Sequence, residues 1–274
     1  MYSRAYVEIT NICNMRCSFC HGHSRVPRRM SVEEFTKILT ELSPHTSYLY
    51  YHLMGEPLTH PELPLFLQMA YERGFSSVIT TNGTLLSKRK EELLSVPLYK
   101  MNLSVHSFEE GSEEDFYHYL TEISDFADRA SSQGTIIVLR LWNRGFDDGR
   151  NEKILAFFYN RFPTEWKENT RGYRVRDRLF VEWGDRFAWP DRNAPEGDDA
   201  VFCYGLRDHF GILSDGTVVP CCLDSDGVIS LGNVFTQPLA EILNSHRAAA
   251  IREGFSKRCA VEDLCRRCGY ARRF

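Results

Sequence analysis

The chain has 274 residues, 43% of them hydrophobic, 26% charged and 13% aromatic, with 33 basic against 37 acidic side chains for a net charge of -4. That composition builds a core, excludes a disordered chain, and gives no electrostatic reason to expect nucleic acid as an obligate partner. No window approaches about 18 uncharged apolar residues and the start lacks a secretory-type apolar stretch, so a cytoplasmic protein without membrane association is expected.

Up to about residue 165, short β-branched or aromatic runs alternate with helical patterns, which is the signature of repeated βα units around a parallel sheet. The first strand is expected at 5–10, followed by a cysteine-bearing loop and a helix at 31–41 opened by the capping box Ser31-Val32-Glu33-Glu34. Strands at 48–53, 76–80, 100–105 and 135–141 each lead into a helix, at 61–72, 87–94, 112–130 and 151–161. A sixth strand is expected at 178–183, within a stretch from 163 to 199 whose poor periodicity reads as an irregular last segment and linker. After Cys203 the pattern changes to a hairpin, 210–213 and 217–222, turned by Ser214-Asp215-Gly216. A helix at 238–252 and a closing Cys-rich, Arg-rich tail follow. The chain therefore reads as α/β, with residues 1–199 as one main domain and 200–274 as a small α+β domain.

Nine cysteines without a secretion signal read as metal ligands or reactive thiols rather than disulfides. Cys13, Cys17 and Cys20 project from one short turn after the first strand. Three thiolates leave one iron of a four-iron cluster open, whereas closed structural zinc sites and electron-carrier ferredoxins use four ligands. The competing reading is a zinc site completed by His21 or His23.

The loop resembles the CxxxCxΦC motif of the radical S-adenosylmethionine (SAM) superfamily, with Phe19 in the aromatic position. The resemblance implies a partial (β/α)6 TIM-like barrel and a 4Fe-4S cluster on Cys13, Cys17 and Cys20 whose open iron chelates SAM, with Phe19 against the adenine. Met54-Gly55-Glu56-Pro57 resembles the family's Gly-Gly-Glu-Pro motif, which implies that Gly55, Glu56 and Pro57 receive the SAM ammonium. Thr81-Asn82-Gly83 resembles the turn beside SAM, and Ser104 matches a polar SAM contact. Arg140, at the end of the fifth strand, is placed to pair with the SAM carboxylate. His52 and His106 are expected to face the cavity.

Cys203, Cys221, Cys265 and Cys268 offer four further thiolates, which resemble the twitch or SPASM extension of the same superfamily and imply a second, auxiliary 4Fe-4S cluster. Tetrahedral zinc is the alternative. Cys221 and Cys222 are expected on one strand, facing opposite sides, so that Cys222 is a buried thiol and not a ligand. Cys259 lies near enough in sequence to replace a ligand.

Size and auxiliary-cysteine spacing resemble the twitch-type 2-deoxy-scyllo-inosamine dehydrogenases, which implies oxidation of an alcohol to a ketone on a small-molecule substrate. An external one-electron reductant such as flavodoxin or ferredoxin is implied as a partner. Arg140, His52 and His209 are the catalytic candidates, with Asn143 and Asp224 as further substrate-facing groups. Modification of a peptide or protein is the competing enzyme reading, weakened by the lack of a leader-recognition domain ahead of the barrel. Arg25, Arg28, Arg29 and the tail arginines prompt an RNA reading, and a zinc or iron-sulfur regulatory module is the non-enzyme alternative.

Overall fold

The computed structural model describes residues 1–197 and 200–273. The expected domain junction at 199/200 touches residues outside the described ones. Strands β1 (Arg4–Val7), β2 (Tyr48–Tyr50), β3 (Ser76–Thr81), β4 (Lys100–Ser104) and β5 (Ile136–Arg144) lie side by side and parallel. Helices α1 (Val32–Leu42), α2 (Leu63–Glu72), α3 (Leu86–Leu94) and α4 (Glu113–Ser132) make the crossovers, and α5 (Arg150–Arg161) follows β5. The capping box at Ser31 forms as expected, since Ser31 Oγ accepts from Glu34 N and the Glu34 carboxylate accepts from Ser31 N.

Between 163 and 199 the sequence reading is corrected. An antiparallel hairpin, β6 (Lys167–Asn169) and β7 (Gly172–Arg176), precedes the sixth parallel strand β8 (Leu179–Asp185) and pairs with its outer edge. The strands are short and rich in charge, with β6 exposed throughout, so they carry no alternating apolar signature.

Past Cys203, β9 (His209–Ile212) joins the free edge of β1 in parallel and turns into β10 (Thr217–Val219), with β11 (Gly232–Asn233) outermost. One mixed eleven-stranded sheet thus runs through both halves of the chain. The expected helix at 238–252 is two helices, α6 (Leu239–Leu243) and α7 (His246–Ser256), because extended Ser245 caps a new helix by accepting from Ala248 N. A short turn, α8 (Asp263–Arg266), ends the fold.

Alternation along β1 sorts its side chains. Ala5 and Val7 join the main core with Phe35, Ile38 and Phe66, while Tyr6 faces the opposite, concave side of the sheet with Leu53 and Val219. Just past β1, on the same alternation, lies Glu8, fully buried. Its carboxylate accepts two hydrogen bonds from Arg25 at 2.8 and 2.6 Å, one from Met54 N at 3.2 Å, and two from Ser214 N and Oγ at 3.1 and 2.9 Å. Arg25 also donates to Ser225 O at 2.8 Å. This one carboxylate ties the cysteine loop, the end of β2 and the C-terminal hairpin together.

Breaking such a buried pair from one side leaves a charge uncompensated, at a cost of about 3–5 kcal/mol. Glu8→Gln is expected to lower the denaturant midpoint by that equivalent, and Glu8→Gln/Arg25→Met to recover part of the loss. An unchanged midpoint in the single variant would show that the pair carries no such weight.

Candidate active site

The cysteine loop is cinched at its base. Thr10 Oγ1 donates to Arg28 O at 3.0 Å, Arg28 N to Asn11 Oδ1 at 2.7 Å, and Asn11 Nδ2 to Val26 O at 2.8 Å. Further out, Ser18 donates through N and Oγ to Glu109 at 2.6 Å each, and Trp189 Nε1 donates to Phe19 O at 3.0 Å. Cys13 and Cys20 are exposed and Cys17 half-buried. Burial, the Glu109 carboxylate and the other two thiols push Cys17 up to about 12. Burial, Glu56 and Cys20 push Cys13 up against two backbone hydrogen bonds that oppose them. Three thiols close enough to resist one another's ionisation fit a site completed by cationic metal, which would draw the protons off.

The Gly55-Glu56-Pro57 turn is pressed against the end of β1. Gly55 has φ +76°, and a methyl placed there would reach within 2.8 Å of Asn11 C, so only glycine lets the two segments meet. Glu56 is buried and accepts from Thr81 Oγ1 at 2.6 Å, Asn82 N at 2.8 Å and Leu58 N at 3.0 Å. Burial nevertheless pushes its carboxyl up to about 7. Asn82 Nδ2 donates to Asn14 Oδ1 at 3.0 Å, which links the Thr81-Asn82 turn to the cysteine loop. Gly55, Glu56, Pro57, Thr81 and Asn82 are therefore gathered beside Cys13 as one hydrogen-bonded knot.

Phe19, Ser104, His52, His106 and Arg140 line a cavity of about 220 Å³ on the concave face of the sheet. The Phe19 and His106 ring centroids lie 4.9 Å apart, with the Arg186 guanidinium 5.6 Å from the Phe19 centroid. His106 Nδ1 is 3.0 Å from Arg140 O and 3.3 Å from Trp142 N, and burial pulls its imidazole down to about 4. Burial, with Arg140 and Arg4 adding to it, takes His52 down to about 3. Both imidazoles are neutral at pH 7.

A second cavity of about 210 Å³ opens on the other side of His52, Arg140, Trp142 and Cys222, which border both. Cys203, Cys221, Cys265 and Cys268 line it, as does His209, taken down to about 4 by burial and Arg4. Gly205 marks the approach of two of the thiols, since a methyl there would lie 3.6 Å from Cys203 Sγ and 3.7 Å from Cys221 Cβ. Burial raises all four thiols, and Cys203, Cys221 and Cys265 resist one another's ionisation. Among the described residues no three His, Cys, Asp or Glu side chains converge on a single-ion site. Four thiols around one cavity are a donor set that an iron-sulfur cluster takes.

The expectation for Cys221 and Cys222 is corrected. Strand β10 stops at Val219 before Pro220, which has no N–H for the ladder, so the two cysteines are off the strand and both line the second cavity. Cys222 also packs with Tyr6, Leu53 and Leu213 and is pushed up to about 11 by burial. Cys259 is exposed and lies outside that lining. Asp224 lines the second cavity and accepts from Val228 N and Ile229 N at 2.8 Å each, whereas Asn143 lies outside both linings, its Oδ1 accepting from Asn151 Nδ2 at 3.0 Å.

Several lining residues escape motif reading, namely Arg4, Tyr6, Tyr50, Trp142, Arg186 and Trp189. The alternation Arg4, Tyr6, Glu8 against Ala5, Val7, Ile9 carries a signal for the first two. The arginines behind the RNA reading are largely committed inside the chain: Arg25 to Glu8, Arg28 to Glu34, Arg267 to Glu196 and Asp263, and Arg273 to Asp185. Among the described residues no helix is long and apolar enough to cross a membrane.

Residues 7–134 match the radical SAM superfamily and residues 203–269 match SPASM, an iron-sulfur cluster-binding domain. The GTP 3',8-cyclase of Aquifex aeolicus is 27% identical over 92% of this chain and 86% of its own length. The tungsten-containing aldehyde ferredoxin oxidoreductase cofactor-modifying protein of Pyrococcus furiosus is 37% identical over 30% of this chain, a match that spans only 24% of that protein. The structure of BtrN in complex with AdoMet and 2-DOIA superposes with a TM-score of 0.61 at 19% identity, covering 98% of this chain and 93% of that one. This likeness extends over the partial barrel and the C-terminal domain together.

If Cys203, Cys221, Cys265 and Cys268 are the auxiliary ligands, Cys265→Ala in the anaerobically reconstituted protein lowers iron from about eight toward about four per chain. Cys222→Ala and Cys259→Ala are expected to keep the full count, and loss of iron in either would redraw the ligand set. The chain is a radical SAM enzyme with a C-terminal SPASM domain, and its cofactors are SAM, a 4Fe-4S cluster and auxiliary iron-sulfur.

Proposed function

We propose that this enzyme oxidises an alcohol carbon of a small molecule to a ketone. The observation that supports the reading is the shared wall: the cavity lined by the N-terminal cofactor residues and the cavity lined by the four C-terminal thiols have lining residues in common, His52, Arg140, Trp142 and Cys222 among them. When bound, the cofactors supply a radical that takes a hydrogen atom from carbon on one side and an acceptor for the remaining electron on the other.

The chain's own residues then have three tasks. Cys13, Cys17 and Cys20 hold the SAM-binding cluster, with Cys203, Cys221, Cys265 and Cys268 holding the auxiliary one. Glu56, Thr81, Asn82, Ser104 and Phe19 receive SAM. The Glu56 carboxyl stays high only while it is buried without a counter-charge, and an ammonium brought against it pulls it down. His52 is the group we assign to take the hydroxyl proton, because it borders both cavities and its buried Nδ1 has no hydrogen-bond partner. Arg140 keeps its charge, since burial takes it down only to about 10, and its guanidinium is fixed 4.3 Å from the Trp142 ring centroid.

Loss of a charge-assisted contact of about 1.5–3 kcal/mol makes Glu56→Gln weaken SAM binding by tenfold or more, read from the spectral change of the reduced cluster on SAM titration. With dithionite as reductant, wild type yields 5'-deoxyadenosine and Cys17→Ala none. Deuterium from a carbinol carbon of substrate appears in that product. Deuterium arriving instead from a peptide side chain would replace alcohol oxidation by peptide modification.

A further inference from the structure

Four buried side-chain nitrogens lining the second cavity have no hydrogen-bond partner: Arg4 Nε, His52 Nδ1, Arg140 Nε and His209 Nδ1. They come from β1, the end of β2, β5 and β9, so the continuous sheet brings them together from both ends of the chain. Tyr6 holds them in one cluster, with its ring centroid 5.2 Å from that of His52 and 5.4 Å from that of His209. The Arg4 guanidinium lies 5.5 Å from the Tyr50 centroid.

Neither Arg4 nor Arg140 forms an ion pair within 4.0 Å among those described, although Glu182 lies beside Arg140 on the neighbouring strand. Two guanidiniums with unpartnered Nε atoms and two imidazoles with unpartnered Nδ1 atoms therefore face one enclosed space, whose one carboxylate, Asp224, is already taken by Val228 N and Ile229 N. Desolvated positive charge is costly unless something negative meets it.

We propose that Arg4 and Arg140, with His209, form an anion-recognition site, and that the substrate is a small organic anion whose carboxylate or phosphate group seats between the two guanidiniums. The inference rests on the proposed oxidation of a small molecule where the two cavities meet, and adds the charge class of that substrate. A substrate presenting an ammonium group at this position is excluded by repulsion. The walls complete the description: Tyr6, Tyr50 and Trp142 offer aromatic faces to a compact ring or chain, while His52 stands between the anion site and the barrel cavity.

The test uses the anaerobically reconstituted full chain with SAM bound, titrated calorimetrically with pyrophosphate, with citrate and with uncharged myo-inositol. One of the two anions is expected to bind with an affinity that falls as salt rises, and which one binds separates a phosphate from a carboxylate substrate. Arg4→Gln should weaken that binding about tenfold or more, and Arg4→Lys should retain most of it if the site needs positive charge. Absence of anion binding in wild type overturns the proposal, as does equal binding by wild type and Arg4→Gln. A shift in auxiliary-cluster potential in Arg4→Gln with no anion binding would likewise overturn it and assign the guanidiniums to the cluster. The SAM-induced spectral change in the same wild-type sample reports separately on the radical SAM cofactor site, and deuterium transfer from substrate carbon on the alcohol reading, so loss of anion binding alone leaves both in place.

Discussion

A single carboxylate, that of Glu8, fixes the positions of the parts on which the chemistry depends. It takes five hydrogen bonds, from Arg25 beyond the cysteine loop, from the backbone at Met54 and from Ser214 in the C-terminal hairpin. A buried carboxylate with its acceptor capacity this fully used cannot trade partners without leaving a charge exposed to low dielectric. The loop that offers Cys13, Cys17 and Cys20, the turn that offers Glu56 and the hairpin that leads to Cys221 are therefore set by one shared constraint. Cofactor sites built on loops need such support to hold their geometry.

The concave face of the sheet is unusual in its chemistry. A parallel sheet covered on both faces would read as apolar runs, yet here β1, the end of β2, β5 and β9 turn Arg4, Tyr6, His52, Arg140 and His209 inward. Burial keeps the three histidines on this face neutral, His52, His106 and His209, while Arg140 keeps its charge. The space thus combines fixed positive charge with neutral proton acceptors, and the auxiliary thiols close it from the opposite side.

Much of this was legible in the sequence, because the informative features were local. The six parallel strands follow apolar runs, and the cysteine spacing, the Gly55-Glu56 turn and the Thr81-Asn82-Gly83 turn are contiguous motifs whose backbone demands are carried by the residues themselves. What was hidden depends on pairing at a distance. The β6–β7 hairpin is stabilised by β8 and not by its own alternation. Ser245 interrupts a helical pattern because its hydroxyl prefers to cap, and Pro220 moves Cys221 and Cys222 off their strand. Arg4 carries no motif, and it becomes part of a cavity wall only because β9, from the far end of the chain, pairs with β1.

That last pairing bears on how the molecule comes into being. Strand β1 receives one neighbour from β2 within the first fifty residues, but its other edge stays open until His209–Ile212 has been made. During synthesis the nascent barrel carries an unpaired strand border, the kind of border that recruits other chains. Closing it demands a contact of very large sequence separation, which slows the final folding event. The N-terminal cysteine loop cannot be fully anchored before the same moment, because Ser214 follows that strand. The loop that carries Cys13, Cys17 and Cys20 accordingly gains its last anchors only after Ser214 and Ser225 have been made.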